Sequence, residues 1–139
     1  MIKRRFSIPP NLLFAAFSKP EHMRSWWRDD TVFEISLQVN GKWKIIRKYG
    51  EKTYIASGKY LEVKPPQRLQ YTYTMPQFSE NEDMITIKIE EKEGGSYFIF
   101  EKSGPDIETE LAALSENEIS ESEKGWQQGF DLIGKTYTK

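Results

Sequence analysis

The stretch SENEISESEKGWQQGFDLIGKTY, residues 115–137, decides the fold. Within it Ile119, Trp126, Phe130, Ile133 and Tyr137 follow one another at steps of seven, four, three and four. Those steps put the apolar side chains on one stripe, the pattern of a helix that buries a single face. Gly125, Gly129 and Gly134 interrupt the same segment. Each costs up to ~1 kcal/mol relative to alanine in a helix interior. Three together need a structural reason. The first is a sheet that approaches the helix backbone closely; the second is space left for a ligand.

Working back from this helix, nearly everything reads as short strands. Ile2, Phe6 and Ile8 alternate with polar residues and form a first strand. Pro9-Pro10 opens a helix over Pro9–Phe17, where proline is tolerated because its missing N–H would be unpaired in a first turn. Ser18 stands where it can cap a second short helix, Pro20–Trp26. Val32, Phe33 and Ile35 make a short strand, and Asn40-Gly41 is a tight-turn signal before the strand Lys42–Tyr49. In Thr53–Val63 the alternation slips: Tyr54 and Ala56 share one phase, Leu61 and Val63 the other, so a β-bulge is expected at or near Gly58. Arg68–Met75 alternates cleanly, as do Ile85, Ile87 and Ile89; Ser96–Lys102 carries aromatics on both phases. Ile107–Leu114 reads as a short helix or an ordered connection. The expected fold class is α+β: one curved antiparallel sheet wrapped around a long C-terminal helix, with two short helices after strand 1 and room for a cavity.

Composition narrows the function classes. At 139 residues the chain reads as one domain able to bury a core without staples. It has no cysteine, so thiolate chemistry and disulfides are excluded. With one histidine, only a carboxylate-dominated metal site would remain, and no such spacing is present. Neither an apolar run of the ~20 residues a membrane span needs nor a signal-peptide stretch is present, so the reading is a soluble, cytoplasmic protein without membrane insertion. Net charge is −1, which gives no global reason to expect nucleic acid. Locally the signs separate: Lys42, Lys44, Arg47, Lys48 and Lys52 make a basic hairpin, while Glu108, Glu110, Glu116, Glu118, Glu121 and Glu123 make the C-terminal third acidic. Two solvated faces explain this, and so does a docking surface for a protein partner.

Catalytic signatures are missing. There is no nucleophile elbow, no Walker loop and no dinucleotide fingerprint. His22 has no identifiable partner for general-base work, and Asp29-Asp30 reads as a solvated pair beside a helix end.

In chain order stand Ile8-Pro9-Pro10, Trp26-Trp27, Gly41-Lys42-Trp43, Gly58 through Pro65-Pro66-Gln67-Arg68-Leu69, Gly94-Gly95 and Gly125-Trp126. This ordered set resembles the heat-shock-protein-90 ATPase activator homologue family, part of the START-like (SRPBCC) superfamily with the helix-grip fold. The resemblance covers essentially the whole chain and implies a single START-like domain over residues 1–139. It also implies a hydrophobic cavity between sheet and helix. Superfamily members bind lipids, sterols, polyketides or other small apolar molecules; some are cyclases or hydrolases, and relatives of this family stimulate the chaperone's ATPase. Asn40-Gly41 stands where the family often has paired glycines, and Ser96-Tyr97 departs from its usual pattern after the later pair. No catalytic residue and no cofactor carries over.

The expected function is therefore binding of a small hydrophobic ligand. The alternatives are a protein-interaction module like the chaperone activators and, behind it, an enzyme of the cyclase or hydrolase kind. Trp43, Tyr71, Tyr73, Phe98, Trp126 and Phe130 are candidates for the cavity wall, although the same aromatics would serve a solid core equally well. Arg47 shares a face with Trp43 and Ile45; it either anchors an acidic head group or sits at the sheet rim. Trp26 and Trp27 are adjacent and point about 100° apart on a helix. One is expected to enter the core, and Trp27 is taken as the candidate at the mouth.

Overall fold

A computed structural model describes residues 2–24, 26–27, 31–49, 51–76, 80–114 and 121–137. The elements in chain order are β1 (Ile2–Phe6), α1 (Pro10–Ser18), α2 (Pro20–Met23), β2 (Val32–Ile35), β3 (Lys42–Tyr49), β4 (Lys52–Lys64), β5 (Arg68–Tyr73), β6 (Asp83–Lys92), β7 (Gly95–Ser103), α3 (Pro105–Ala112) and α4 (Glu121–Tyr137). The strands form one seven-stranded antiparallel sheet in the order β1-β7-β6-β5-β4-β3-β2. Because β1 and β2 lie at opposite edges, α1 and α2 carry the chain across the sheet. That crossing drives Leu13, Phe14, Ala16 and Phe17 into the core.

Alternation decides what each strand contributes. Ile85, Ile87 and Ile89 of β6 are fully or almost fully buried, as are Leu69 of β5 and Phe98 and Phe100 of β7. The helix α4 reaches this face through aromatic contacts. Phe130 packs edge-on against Phe98, Phe100 and Phe17 at ring-centroid distances of 5.1, 5.4 and 5.9 Å. Such pairs contribute about 0.5–1.5 kcal/mol each beyond the area they bury. A polar clamp sits beside them: the Arg4 guanidinium meets the Asp131 carboxylate at 2.9 Å and donates to Gln127 Oε1 at 3.1 Å.

Several sequence expectations need adjustment. The helix α2 ends at Met23; Trp26 and Trp27 follow it in a turn, with both backbone N–H groups donating to the Met23 carbonyl. Ser18 caps nothing downstream. Its hydroxyl donates to the Phe14 carbonyl at 2.8 Å, inside its own helix. The irregularity of β4 falls between Tyr60 and Glu62, so Leu61 turns outward and the phase slip is absorbed there. Gly58 has a different reason. It lies opposite Trp43, whose indole N–H passes over it to donate to the Thr72 carbonyl at 3.1 Å. A Cβ on Gly58 would overlap that same carbonyl.

The ambiguous segment after β7 is helical. Asp83, buried on β6, accepts the backbone N–H of Asp106 at 3.1 Å and of Ile107 at 3.0 Å. A carboxylate from a distant strand therefore supplies the N-terminal capping of α3. In α4 the three glycines have different surroundings. A Cβ on Gly129 would lie 2.6 Å from Trp26 Cε3, whereas Gly125 and Gly134 have nothing within 4 Å. Close packing accounts for one of the three, and the partner is Trp26 rather than the sheet. Ile119 lies outside the described residues.

Candidate functional site

Two spaces open on the inner face. The first lies between the sheet and α4 and amounts to about 30 Å³. Trp43, Tyr60, Tyr71, Trp26, Trp27 and Trp126 surround it. This is room for about one water. Aromatic side chains have filled most of the space the helix-grip arrangement offers. Trp43 meets Tyr71 edge-on at 5.4 Å, Tyr73 meets Trp126 at 6.1 Å, and Trp126 meets Phe100 at 4.8 Å.

The second space is a pocket of about 390 Å³ beside the first, within the range of small-molecule sites. The strands β3, β4 and β5 provide its floor through Ile45 and Arg47, Tyr54 and Ala56, and Tyr73. Met75, just beyond β5, continues that wall. Trp27 lines this pocket and the small cavity alike. No residue of α4 is among its described lining residues, so the roomier space lies alongside the sheet–helix interface.

The two adjacent tryptophans part company here. Trp26 turns inward: its indole N–H donates to the Ala16 carbonyl at 2.7 Å and its ring packs near Phe17, Trp126 and Phe130. Trp27 turns to the pocket, edge-on to Phe33, with the Arg47 guanidinium 5.2 Å from its ring centroid. Its Nε1–H is buried and has no hydrogen-bond partner among the described residues.

Burial shapes the ionisation of the wall. It raises Tyr71 well above the usual tyrosine value, with Tyr60 and Tyr73 adding to the effect. Burial also raises Tyr73, to about 12, against the opposing pull of Arg47. Tyr73 donates to the Met75 sulfur at 3.5 Å. Lys102 of β7 holds its ammonium 4.5 Å from the Tyr73 ring centroid, and burial lowers the Lys102 pKa while Asp83, Glu110 and Asp106 oppose that shift.

The eight residues expected at a ligand site thus separate into three groups. Trp27, Arg47 and Tyr73 line the larger pocket. Trp43, Tyr71 and Trp126 line the small cavity. Phe98 and Phe130 line neither; both are completely buried and form the solid core. Ile45, Tyr54, Ala56 and Met75 are the lining residues that sequence reasoning did not select, although their phase along β3, β4 and β5 placed them on the inward face. Asp29 and Asp30 lie outside the described residues. Among the described residues no group of three His, Asp or Glu side chains converges as a metal site, and no helix is long and apolar enough to cross a membrane.

The chain matches a family model described as Activator of Hsp90 ATPase homolog 1-like protein over residues 7–137. Among solved structures, protein CV1439 from Chromobacterium violaceum superposes with a TM-score of 0.79 at 23% identity, covering 99% of this chain and 95% of the other. Protein NE0264 from Nitrosomonas europaea gives 0.74 at 17% identity, covering 96% and 90%. Protein Ms6760 from Mycobacterium smegmatis gives 0.75 at 12% identity, covering 99% and 88%. At these identities the likeness is one of fold. Comparison with functionally curated proteins finds no match.

Proposed function

The chain belongs to the Activator of Hsp90 ATPase homolog 1-like family, and from that premise we propose that it binds a small hydrophobic ligand in the pocket at Trp27, Arg47 and Tyr73. One observation carries the reading: a pocket of about 390 Å³ with a largely apolar wall adjoins a core that is otherwise closed. Sites for small molecules have this size and lining, with a few polar groups that orient the ligand.

Native mass spectrometry of protein purified gently from its own host, compared with the same sample denatured, tests it. A discrete extra mass lost on denaturation supports a carried ligand. A second arm uses Ala56, which is buried in the pocket floor. Ala56→Phe fills the space and should abolish saturable binding of a neutral naphthalene probe. If that probe never binds the unmodified protein, or binds Ala56→Phe equally well, the reading fails.

A protein-interaction role is the second reading, supported by the exposed lysines of the outer β3–β4 surface. Lys42 and Lys59 sit directly opposite each other across the ladder, and Lys44 and Lys48 are exposed nearby. Like charges in register are unfavourable for a hairpin, so a partner's acidic surface would relieve them. Reversing Lys44 and Lys48 to glutamate should abolish salt-sensitive capture of that partner; unchanged capture rejects the role.

A further inference from the structure

We infer that Trp27 is a gate: its indole swings aside when a flat aromatic ligand enters, and the pocket and the small cavity under α4 become one chamber. The inference rests on the ligand-binding reading above and concerns how far into the molecule the ligand reaches. Among the described residues only Trp27 and Ile45 line both spaces. Ile45 is buried on β3 with Phe33 opposite it on one side and Ala56 on the other, so the sheet holds it in place. Trp27 follows α2 in a turn, and its main-chain N–H is tied to the Met23 carbonyl at 3.0 Å. What can move between the two spaces is therefore the Trp27 side chain.

The adjacent tryptophan shows what a fixed indole looks like. Trp26 donates its N–H to the Ala16 carbonyl at 2.7 Å, and its ring lies so close to α4 that a Cβ on Gly129 would come within 2.6 Å of it. Trp27 has no such hold. Its Nε1–H is buried and unpaired among the described residues. Buried donors are normally satisfied, so the closed position carries a penalty that turning the ring toward water removes. The ring is kept in place by side chains alone: Trp26 at 5.3 Å, Phe33 at 6.4 Å and the Arg47 guanidinium at 5.2 Å. Phe33 is only half-buried and belongs to β2, the edge strand, so it can give way. The pocket supplies the space into which the indole turns. Behind the gate stand Trp43, Tyr60, Tyr71 and Trp126. Apart from Arg47, no charged side chain is among the described residues lining either space. Such a wall takes a flat, neutral aromatic molecule, packed face-on or edge-on as these rings pack on one another.

The experiment is fluorine NMR of the protein labelled with 5-fluorotryptophan and titrated with naphthalene. The four tryptophan resonances are assigned with single Trp→Phe variants. Trp43 and Trp126 line the inner cavity and not the outer pocket, so they report passage through the gate. Nuclear Overhauser effects from the naphthalene protons should reach the fluorine of both. Effects at Trp27 without both of that inner pair leave naphthalene in the outer pocket; the gate then fails and the pocket reading survives. If no tryptophan resonance responds at all, naphthalene does not bind and the pocket reading itself falls. Stopped-flow fluorescence supplies a second measurement, because Trp27→Ala leaves the passage open. A minor open state is about 0.1–10% populated, so the variant should take up naphthalene about tenfold or more faster than the unmodified protein. An unchanged rate overturns the gate. The Overhauser effects in the unmodified protein decide the matter even if Trp27→Ala does not fold.

Discussion

Replacing the glycines of α4 one at a time should give opposite signs along a single helix. Gly125 and Gly134 have nothing within 4 Å of a built Cβ, so alanine adds helix propensity without a steric cost. Gly125→Ala should stabilise by up to about 1 kcal/mol, and Gly134→Ala by less because it lies in the last turn. The two positions are about 13 Å apart at the helical rise of 1.5 Å per residue, so their effects should add. At Gly129 the new methyl would sit 2.6 Å from Trp26 Cε3 and 3.0 Å from Cζ3. Carbon atoms in contact need about 3.5–4.0 Å, so the indole must retreat by about 1 Å. It is poorly placed to do so. Its N–H is bonded to the Ala16 carbonyl at 2.7 Å, and Phe17, Trp27, Trp126 and Phe130 surround its ring. Overpacking of this kind costs about 1–3 kcal/mol, and the propensity gain of about 1 kcal/mol offsets only part of it. Gly129→Ala should therefore destabilise by about 1–2 kcal/mol. Urea unfolding followed by far-ultraviolet circular dichroism measures each change. Tryptophan emission should shift for Gly129→Ala alone. Equal stabilisation by all three alanines would refute the packing of Trp26 on the α4 backbone.

Other consequences are open to the same measurement. Asp83→Ala should cost about 2–4 kcal/mol, because it leaves the N–H of Asp106 and the buried N–H of Ile107 unpaired, whereas Asp83→Asn, which keeps one acceptor, should cost about half as much; equal losses would show that the carboxylate does not cap α3. Phe130→Ala should cost about 3–5 kcal/mol and lower the urea midpoint sharply, as expected of a fully buried core residue rather than a ligand contact; a stable variant with altered probe binding would move Phe130 back to the site. Burial raises the pKa of Tyr60, Tyr71 and Tyr73, so the unfolded chain loses these protons first as pH rises. Their contribution is complete below about pH 10 and is lost as pH rises from there through the raised folded-state values, so Tyr71→Phe should flatten the fall in the urea midpoint above about pH 10. An unchanged slope would place the Tyr71 hydroxyl in water.

Much of the frame was legible in residue patterns. The period-two alternation of Ile85, Ile87 and Ile89 and of Leu69, Tyr71 and Tyr73 marked inward faces, because successive strand residues must point to opposite sides. The step pattern of Trp126, Phe130 and Ile133 marked the buried stripe of α4 for the corresponding reason. Ser18 misled because the same hydroxyl can cap a following helix or bond back to the carbonyl four residues earlier, and local sequence does not choose between them. The bulge expected at or near Gly58 falls just beyond it, between Tyr60 and Glu62, and the glycine itself has a separate reason. A glycine inside a strand signals either a bulge or a close approach, and only the position of the Trp43 indole and the Thr72 carbonyl selects the second.

From the order of residues alone follow the α+β class, the family, the inward faces and the aromatic material of the interior, since these depend on periodicity and local motifs. Which aromatics close the core and which leave a pocket depended on tertiary packing. Phe98 and Phe130 meet at 5.1 Å and exclude any ligand between them, while Trp27, only one residue from the inward-turned Trp26, is left facing open space with Arg47 against its ring. Apolar side chains are driven from water in both settings by the same free energy of transfer. Whether the volume between them is filled is set by contacts among residues far apart in the chain.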